Sequence, residues 1–453
     1  MKNRWAIALG FLGAILMGAV LLALPIASPS HTWRPFGDAL FTACSAVCIT
    51  GLSVIEPGTD LSLFGQIVLL ALVELGCVGI MTLGTFFLVV IGQRLSLASE
   101  FSLVGAYGTR GVKGLRGLIV WVVLSTLVIE ALATVLLWWQ FTRGAASWEV
   151  AYHDATAWFR AFFYAVMAFA NAGFSLDPGS LAVFQSRPGV LLTMAAEVVL
   201  GGIGFFVIYN VCTIQFWRRN LVKRGRLSLH SRVVICTTAF FFLIAAVVFW
   251  LAERNHALAG LDFMDKIVVS VFQAVAPRSC GFTVVPMENV LDATRFITEI
   301  LMFIGAAPGS AGGGIKVTTV VVFLLTIGAI YHGRHETVIF RRTVPLEVVR
   351  ESFVIFFFMV ALIATSMTIL LFTEVDEPAL TFENLLFETV SAVTTTGLSC
   401  GDTTQLLSPV GRVVIMMCMF FGRLGAITVV LLIGGRDEAL SSIKYPKEEL
   451  VVG

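Results

Sequence analysis

The chain has 453 residues, 58% of them hydrophobic and 13% charged, with a mean hydropathy of +0.92 and a formal net charge of +1. Soluble domains carry roughly 25% charged residues, so this composition excludes a water-soluble globule. The basic residues are scattered through short loops rather than gathered into a patch, which excludes a nucleic-acid surface. Along the chain, apolar spans are predicted at about 5–24, 61–92, 118–141, 189–217, 233–251, 296–330, 353–372 and 411–433, each long enough for a hydrocarbon core of about 30 Å. The first, Trp5 to Leu24, has Lys2 and Arg4 before it in the manner of a signal peptide, but Pro25 to Pro29 makes a poor cleavage site and the segment is read as a span. Eight cysteines fall mostly inside apolar segments and read as small buried residues, not as a disulfide framework.

Between successive spans lie shorter apolar segments at about 38–49, 157–171, 264–276 and 382–395. They are too short to cross, and the length suits a half-helix that enters and leaves on one face. Each runs into a small or polar residue followed by glycine: Thr50-Gly51, Ala172-Gly173, Cys280-Gly281 and Thr396-Gly397. The glycines are separated by 122, 108 and 116 residues, so the chain reads as four tandem copies of span, half-helix, glycine turn and span. The predicted fold is an all-α integral membrane protein of four membrane-pore-membrane repeats, with eight spans and four re-entrant half-helices around one central pore. The repeats are 1–94, 95–217, 218–334 and 335–453, the last including a C-terminal tail. With the glycine turns outside, 19 of the 30 basic residues fall inside and nine outside, Arg278 among the nine. That bias puts both termini in the cytoplasm. Glu374, Asp376, Glu377, Glu383 and Glu388 then form an outer acidic cluster that concentrates cations.

Non-helical backbone survives within a bilayer only when buried in protein or lining a wet cavity, so four breaks at equivalent positions are expected to share one axis. Glycine lets the backbone aim its carbonyls inward, and a ring of carbonyls replaces the hydration shell of a monovalent cation. The C-terminal end of each half-helix, partially negative, favours the same charge. No carboxylate adjoins any of the four glycines, Asp402 lying five residues past Gly397, which argues against a calcium-type ring of Asp or Glu.

At these residues the sequence resembles the Trk/Ktr/HKT superfamily of potassium transporters, most closely the KtrB-type membrane subunit. The resemblance rests on Ser45-Ala46-Val47-Cys48-Ile49-Thr50-Gly51-Leu52, Asn171-Ala172-Gly173-Phe174, Arg278-Ser279-Cys280-Gly281-Phe282, Ser391-Ala392-Val393-Thr394-Thr395-Thr396-Gly397-Leu398 and the closing Glu448-Glu449-Leu450-Val451-Val452-Gly453. It implies a potassium filter at Ile49, Thr50, Gly51, Asn171, Ala172, Gly173, Ser279, Cys280, Gly281, Thr395, Thr396 and Gly397, with K+ as the transported ion and no covalent cofactor. It further implies one pore per subunit, a homodimer, a cytoplasmic nucleotide-binding ring of KtrA-type regulator-of-conductance subunits, and a cytoplasmic (inner) cell membrane location. Sodium-selective relatives carry serine at the first filter glycine, so Gly51 favours potassium. Ser279-Cys280 departs from the more usual Thr-Ala. A regulatory sodium site needs only a few oxygens and stays open.

The sixth span is interrupted by Gly305-Ala306-Ala307-Pro308-Gly309-Ser310-Ala311-Gly312-Gly313-Gly314, through which a helix cannot run, since Gly costs about 1 and Pro about 3 kcal/mol relative to Ala. Lys316 follows the break, and Arg423 lies within the last span. By the family resemblance the loop is a gate below the filter, made by Gly305, Pro308, Gly309, Gly312, Gly313, Gly314 and Lys316 with Arg423 close by; the alternatives are helix unwinding for packing and a snorkelling arginine. Its place puts it cytoplasmic to the filter, free to occlude without contacting the dehydrated ion. Glu74, Glu197 and Glu299 recur early in the second spans and are expected to bond backbone amides of the filter turns, with direct ion ligation the lesser alternative. Gly76-Cys77-Val78-Gly79 and Gly201-Gly202-Ile203-Gly204 read as close helix packing. The 309–316 stretch is no phosphate loop, because Ile315 separates Gly314 from the lysine and no strand precedes it. The leading function is potassium uptake through a carbonyl-lined pore. The alternative is a sodium- or proton-coupled potassium symporter, against which four parallel repeats argue, since alternating access favours inverted ones. An enzyme is not expected.

Overall fold

The computed structural model describes residues 6–90, 112–143, 154–213, 227–334 and 336–425. The closing Glu448 to Gly453 motif, the tail, and the basic segment 214–226 lie outside the described residues. Fifteen α-helices, three single-turn 3-10 helices and one small hairpin are found among those that are described. Three helices, α4 (Val112–Arg143), α8 (Leu229–Glu253) and α12 (Leu346–Thr373), are each long and apolar enough to cross a membrane. Their low burial, with Leu124, Leu132, Leu243 and Phe357 among the exposed side chains, is what a lipid-facing surface requires.

The short apolar segments are helices of the expected length: α2 (Phe36–Cys48), α5 (Asp154–Ala170), α9 (Phe263–Val275) and α13 (Phe382–Val393). They form the buried centre, where Phe41, Phe163, Tyr164, Phe272 and Phe387 are fully enclosed. Around them stand α1 (Ala6–Ala23), α3 (Leu63–Val90), α6 (Pro188–Gly202), α10 (Asp292–Phe303) and α15 (Pro409–Leu424, after the single turn α14, Thr403–Leu406). One packing relation recurs. The helix after each glycine loop packs against the next short helix: α3 on α5, α6 on α9, α10 on α13, and α15 back on α2.

Helix starts follow ordinary capping chemistry: Ser228, Thr381 and Ser408 each accept a first-turn amide through the side-chain oxygen, and Pro188 and Pro409 stand at the first helical position. The break predicted in the sixth span is present. α10 ends at Phe303 and α11 (Val317–Tyr331) begins after an irregular segment pinned at its neck by a bridge between Ile304 and Ile315. A second break was not expected. The span read as continuous over 189–217 stops at Gly202, and α7 (Phe205–Thr213) leaves at 98° to α6. Gly204 makes the corner with φ +87°, a conformation that only glycine adopts without strain. Between α11 and α12, β1 (Val338–Ile339) and β2 (Arg342–Thr343) pair in antiparallel register around Phe340 and Arg341, both left-handed.

Candidate functional site

Where each short helix gives way to its loop, one residue adopts a left-handed conformation: Ile49 (φ 54°), Asn171 (59°), Ser279 (86°) and Thr395 (49°). Two positions on, Gly51 (98°), Gly173 (72°), Gly281 (71°) and Gly397 (88°) are left-handed again. The side-chain-bearing members cost about 1–2 kcal/mol each, and the register of that cost is the same four times. The loops hold this shape through their amides. Thr50, Ala172 and Thr396 donate to carbonyls five residues back, at 2.8 to 2.9 Å. Gly51 and Gly397 donate to the hydroxyls of Ser45 and Ser391, both at 3.0 Å. These two serines were not singled out as site residues, although a serine six positions before glycine in both motifs was the available signal.

The four loops close into a ring. A Cβ placed on Gly51 would lie 2.5 Å from the Ala172 carbonyl oxygen, on Gly173 3.0 Å from that of Cys280, and on Gly281 2.9 Å from that of Thr396; on Gly397 it would overlap that of Thr50. Each glycine therefore abuts the carbonyl of the following loop, and the fourth abuts the first. No side chain larger than hydrogen fits at any of the four. All four glycines line a single outward cavity of about 350 Å³. Its rim carries Glu56, Asp177, Glu288 and Asp402, one carboxylate after each glycine loop, of which only Asp402 was noticed in the sequence. Asp177 is paired with Arg160 and bonded by Tyr164, whereas Glu56, Glu288 and Asp402 are exposed.

On the other side of the ring lies the 304–316 segment, in direct contact with it. Gly313 N–H donates to Ser279 Oγ at 2.7 Å, and a Cβ on Gly313 would stand 2.6 Å from the Thr394 carbonyl oxygen. A Cβ on Gly312 would meet that of Ser279 at 2.8 Å. The loop's backbone is thus seated directly on the ring. Three cations hold its carbonyls: Arg278 Nη2 on Gly305 at 3.0 Å, Lys316 Nζ on Gly312 at 2.6 Å, and Arg423 Nη1 on Ala311. Arg423 also reaches Gly76 O at 3.4 Å. The α6–α7 corner holds the remaining side. Ala307 N–H donates to Gly202, Ala311 to Gly201 and Phe205 to Gly309, all at 3.0 to 3.1 Å, and Pro308 O lies against Gly204. Gly309 and Gly314, both at φ +70°, turn the loop at its middle and near its C-terminal end.

Several readings need correction. Arg278, counted with the outer loops, is 5% exposed, lies over the Phe242 ring at 4.9 Å and bonds the Gly305 carbonyl through Nη2. Glu388 is fully buried and accepts from Ser399 (2.8 Å) and Thr404, while Glu374 accepts from Ser408 N–H at 2.9 Å, so neither belongs to a solvated acidic cluster. Glu74 and Glu197 make no hydrogen bond to the filter-turn amides, and those of Gly51 and Gly397 are taken by Ser45 and Ser391. Glu74 faces Glu130 of α4 instead, a residue the sequence reading passed over. Glycine packing holds for Gly76 and Gly201, where a Cβ would strike the Val47 and Phe169 carbonyls, but Gly204 is a corner.

A family model described as TrkH, cation transport protein, matches residues 16–437. The chain belongs to the TrkH cation transport protein family. Members of this family are membrane cation transporters and not enzymes. The chain is 34% identical over 449 residues to the Ktr system potassium uptake protein B of Vibrio alginolyticus, covering 99% of this chain and 94% of the relative. It is 33% identical to the protein of the same name from Bacillus subtilis, covering 99% and 96%, and 31% identical to the potassium/sodium uptake protein NtpJ of Enterococcus hirae, covering 99% and 96%. The crystal structure of the potassium transporter TrkH from Vibrio parahaemolyticus superposes with a TM-score of 0.70 over 94% of this chain and 85% of that one; at 17% identity it speaks for the fold alone.

Proposed function

We propose that this protein carries potassium inward across the cell membrane through a pore at the centre of four tandem repeats, with eight crossings and both termini in the cytoplasm. The observation that carries the reading is the closed ring in which each of four glycines abuts the carbonyl of the next loop. Carbonyl oxygens in a ring exchange for the water around a monovalent cation without a carboxylate being present. The short helices α2, α5, α9 and α13 all end at this ring and add the partial negative charge of their last carbonyls. The exposed Glu56, Glu288 and Asp402 raise the cation concentration at the mouth.

In this reading the 304–316 loop blocks the inner end of the ring, and its displacement opens the path. Arg423, Arg278 and Lys316 hold the loop's carbonyls, and their positive charge opposes a cation below the filter. Two of the named relatives belong to Ktr systems, and for this chain we extend that to a soluble regulatory partner and a dimeric assembly. The exposed turn at Phe340 and Arg341 offers that partner a basic contact. The test is potassium flux into proteoliposomes with sodium, proton and voltage gradients imposed one at a time. A pore carries potassium down its own gradient in the absence of the other two; flux that requires a sodium or proton gradient selects a coupled symporter.

A further inference from the structure

Among the described residues, Ser279 is the side chain that links the loop to the ring through both ends of a hydroxyl. Its Oγ accepts the Gly313 N–H at 2.7 Å and donates to the Thr395 carbonyl at 3.2 Å, in a fully buried setting. Thr395 stands two residues before Gly397, at the inner end of the fourth loop. Ser279 itself is held left-handed at φ 86°, and Gly312 packs against its Cβ, so the hydroxyl has little freedom while the loop is in place. A hydroxyl has one proton. With Gly313 donating to the oxygen, that proton is directed at Thr395, and each bond polarises the other.

We infer that Ser279 couples filter occupancy to the loop: with the loop in place its hydroxyl ties up the Thr395 carbonyl, and with the loop displaced that carbonyl is released to a cation. This rests on the filter and gate assignments proposed above and adds a direction to them. A carbonyl already accepting a hydrogen bond is a poorer cation ligand, so the cation binds more tightly when the loop has moved. Linkage is reciprocal, and a potassium ion at the inner end of the filter therefore favours displacement of the loop. Arg278 and Arg423 also hold the loop but touch no filter carbonyl that the structure records beyond it, which singles out Ser279 as the link.

The experiment measures the potassium concentration giving half-maximal thermal stabilisation of the purified full chain, in wild type, Ser279→Ala, a deletion of Ala311 to Gly313, and the two combined. Ligand stabilisation follows binding to the folded state and needs no flux. Ser279→Ala should lower the midpoint about fivefold, the worth of one neutral hydrogen bond. The loop deletion should lower it to a similar extent, and the combination no further. Arg423→Gln provides a second loosened background that leaves the backbone intact; there Ser279→Ala should have a smaller effect than in wild type. An unchanged or raised midpoint in Ser279→Ala, or equal shifts in all backgrounds, overturns the coupling. Gly51→Ser separates the two levels: if it weakens potassium stabilisation while Ser279→Ala does nothing, the filter stands and the coupling falls. If wild type shows no potassium-specific stabilisation over sodium, the filter reading falls and takes the coupling with it.

Discussion

Replacing Gly51 by Ser puts a Cβ 2.5 Å from the Ala172 carbonyl oxygen and 3.2 Å from Gly173 Cα. Ordinary contact begins near 3.4 Å, so the carbonyl must retreat by about 0.9 Å. Both atoms are backbone, and the next loop is itself wedged against Gly281, leaving no flexible side chain to absorb the shift. The substituted residue must also hold φ 98°, a cost of about 1–2 kcal/mol. Losing one well-aimed carbonyl contact to an ion costs about 1.5–3 kcal/mol by analogy with charge-assisted hydrogen bonds. Even the lower figure is roughly a tenfold loss in the affinity that separates potassium from sodium. The assay is the potassium-to-sodium permeability ratio in proteoliposomes, with monodisperse elution of the variant as the control for folding. A ratio within twofold of wild type in a well-folded sample would refute the assignment of this ring as the selecting structure. Gly397→Ala, whose Cβ overlaps the Thr50 carbonyl, should act in the same direction.

Removing Ala311 to Gly313 should raise basal potassium flux severalfold with selectivity over sodium retained; Arg423→Ala should do the same more weakly, because Arg278 and Lys316 still hold the loop. Flux at background in a folded deletion would exclude the gate. Neutralising Glu56, Glu288 and Asp402 together should raise the potassium concentration for half-maximal uptake about two- to threefold at low ionic strength, an effect that disappears as the Debye length falls to about 3 Å at 1 M salt. A salt-independent change would mean direct ligation. Charge reversal at Arg341 and Arg342 should weaken pull-down of a cytoplasmic regulatory partner and leave ion selectivity as in wild type; undiminished binding excludes this hairpin as the contact.

The glycine turns were legible because non-helical backbone in a membrane is so costly that four recurrences at near-constant spacing have few other uses. The Gly305 to Gly314 break was legible for the same reason. The corner at Gly204 was not: Gly201-Gly202-Ile203-Gly204 satisfies a helix-packing pattern equally well, and nothing local distinguishes a glycine under a neighbouring carbonyl from one at a 98° turn. What decides it is the 304–316 loop, about a hundred residues away, whose amides require the carbonyls of Gly201 and Gly202. Burial of charge was hidden likewise. Arg278, Glu374 and Glu388 sit in stretches that read as loop or amphipathic helix ends, and their partners, Gly305, Ser408 and Thr404, come from later in the chain. Glu130 did carry a signal, since a carboxylate inside a predicted span is costly; its neighbour Glu74 is what the sequence did not show.

The contact of α15 with α2 joins the first and last quarters of the chain, through Asp38 and Arg412 at 2.7 Å and Cys44 Sγ on the Met416 carbonyl at 3.7 Å. During synthesis the first three glycine loops are therefore made before the helix that covers the first of them exists. Until the fourth loop is made the Thr50 carbonyl lacks its Gly397 neighbour, and until residues near 424 follow, α2 lacks its outer wall, so polar backbone waits at membrane depth with one side open. Packing α15 on α2 pairs residues more than 370 apart in sequence, the slowest kind of contact for a chain to form. A nascent chain stopped before α15 should accordingly be a better target for membrane proteases than one stopped just after it, although all three earlier loops are complete in both.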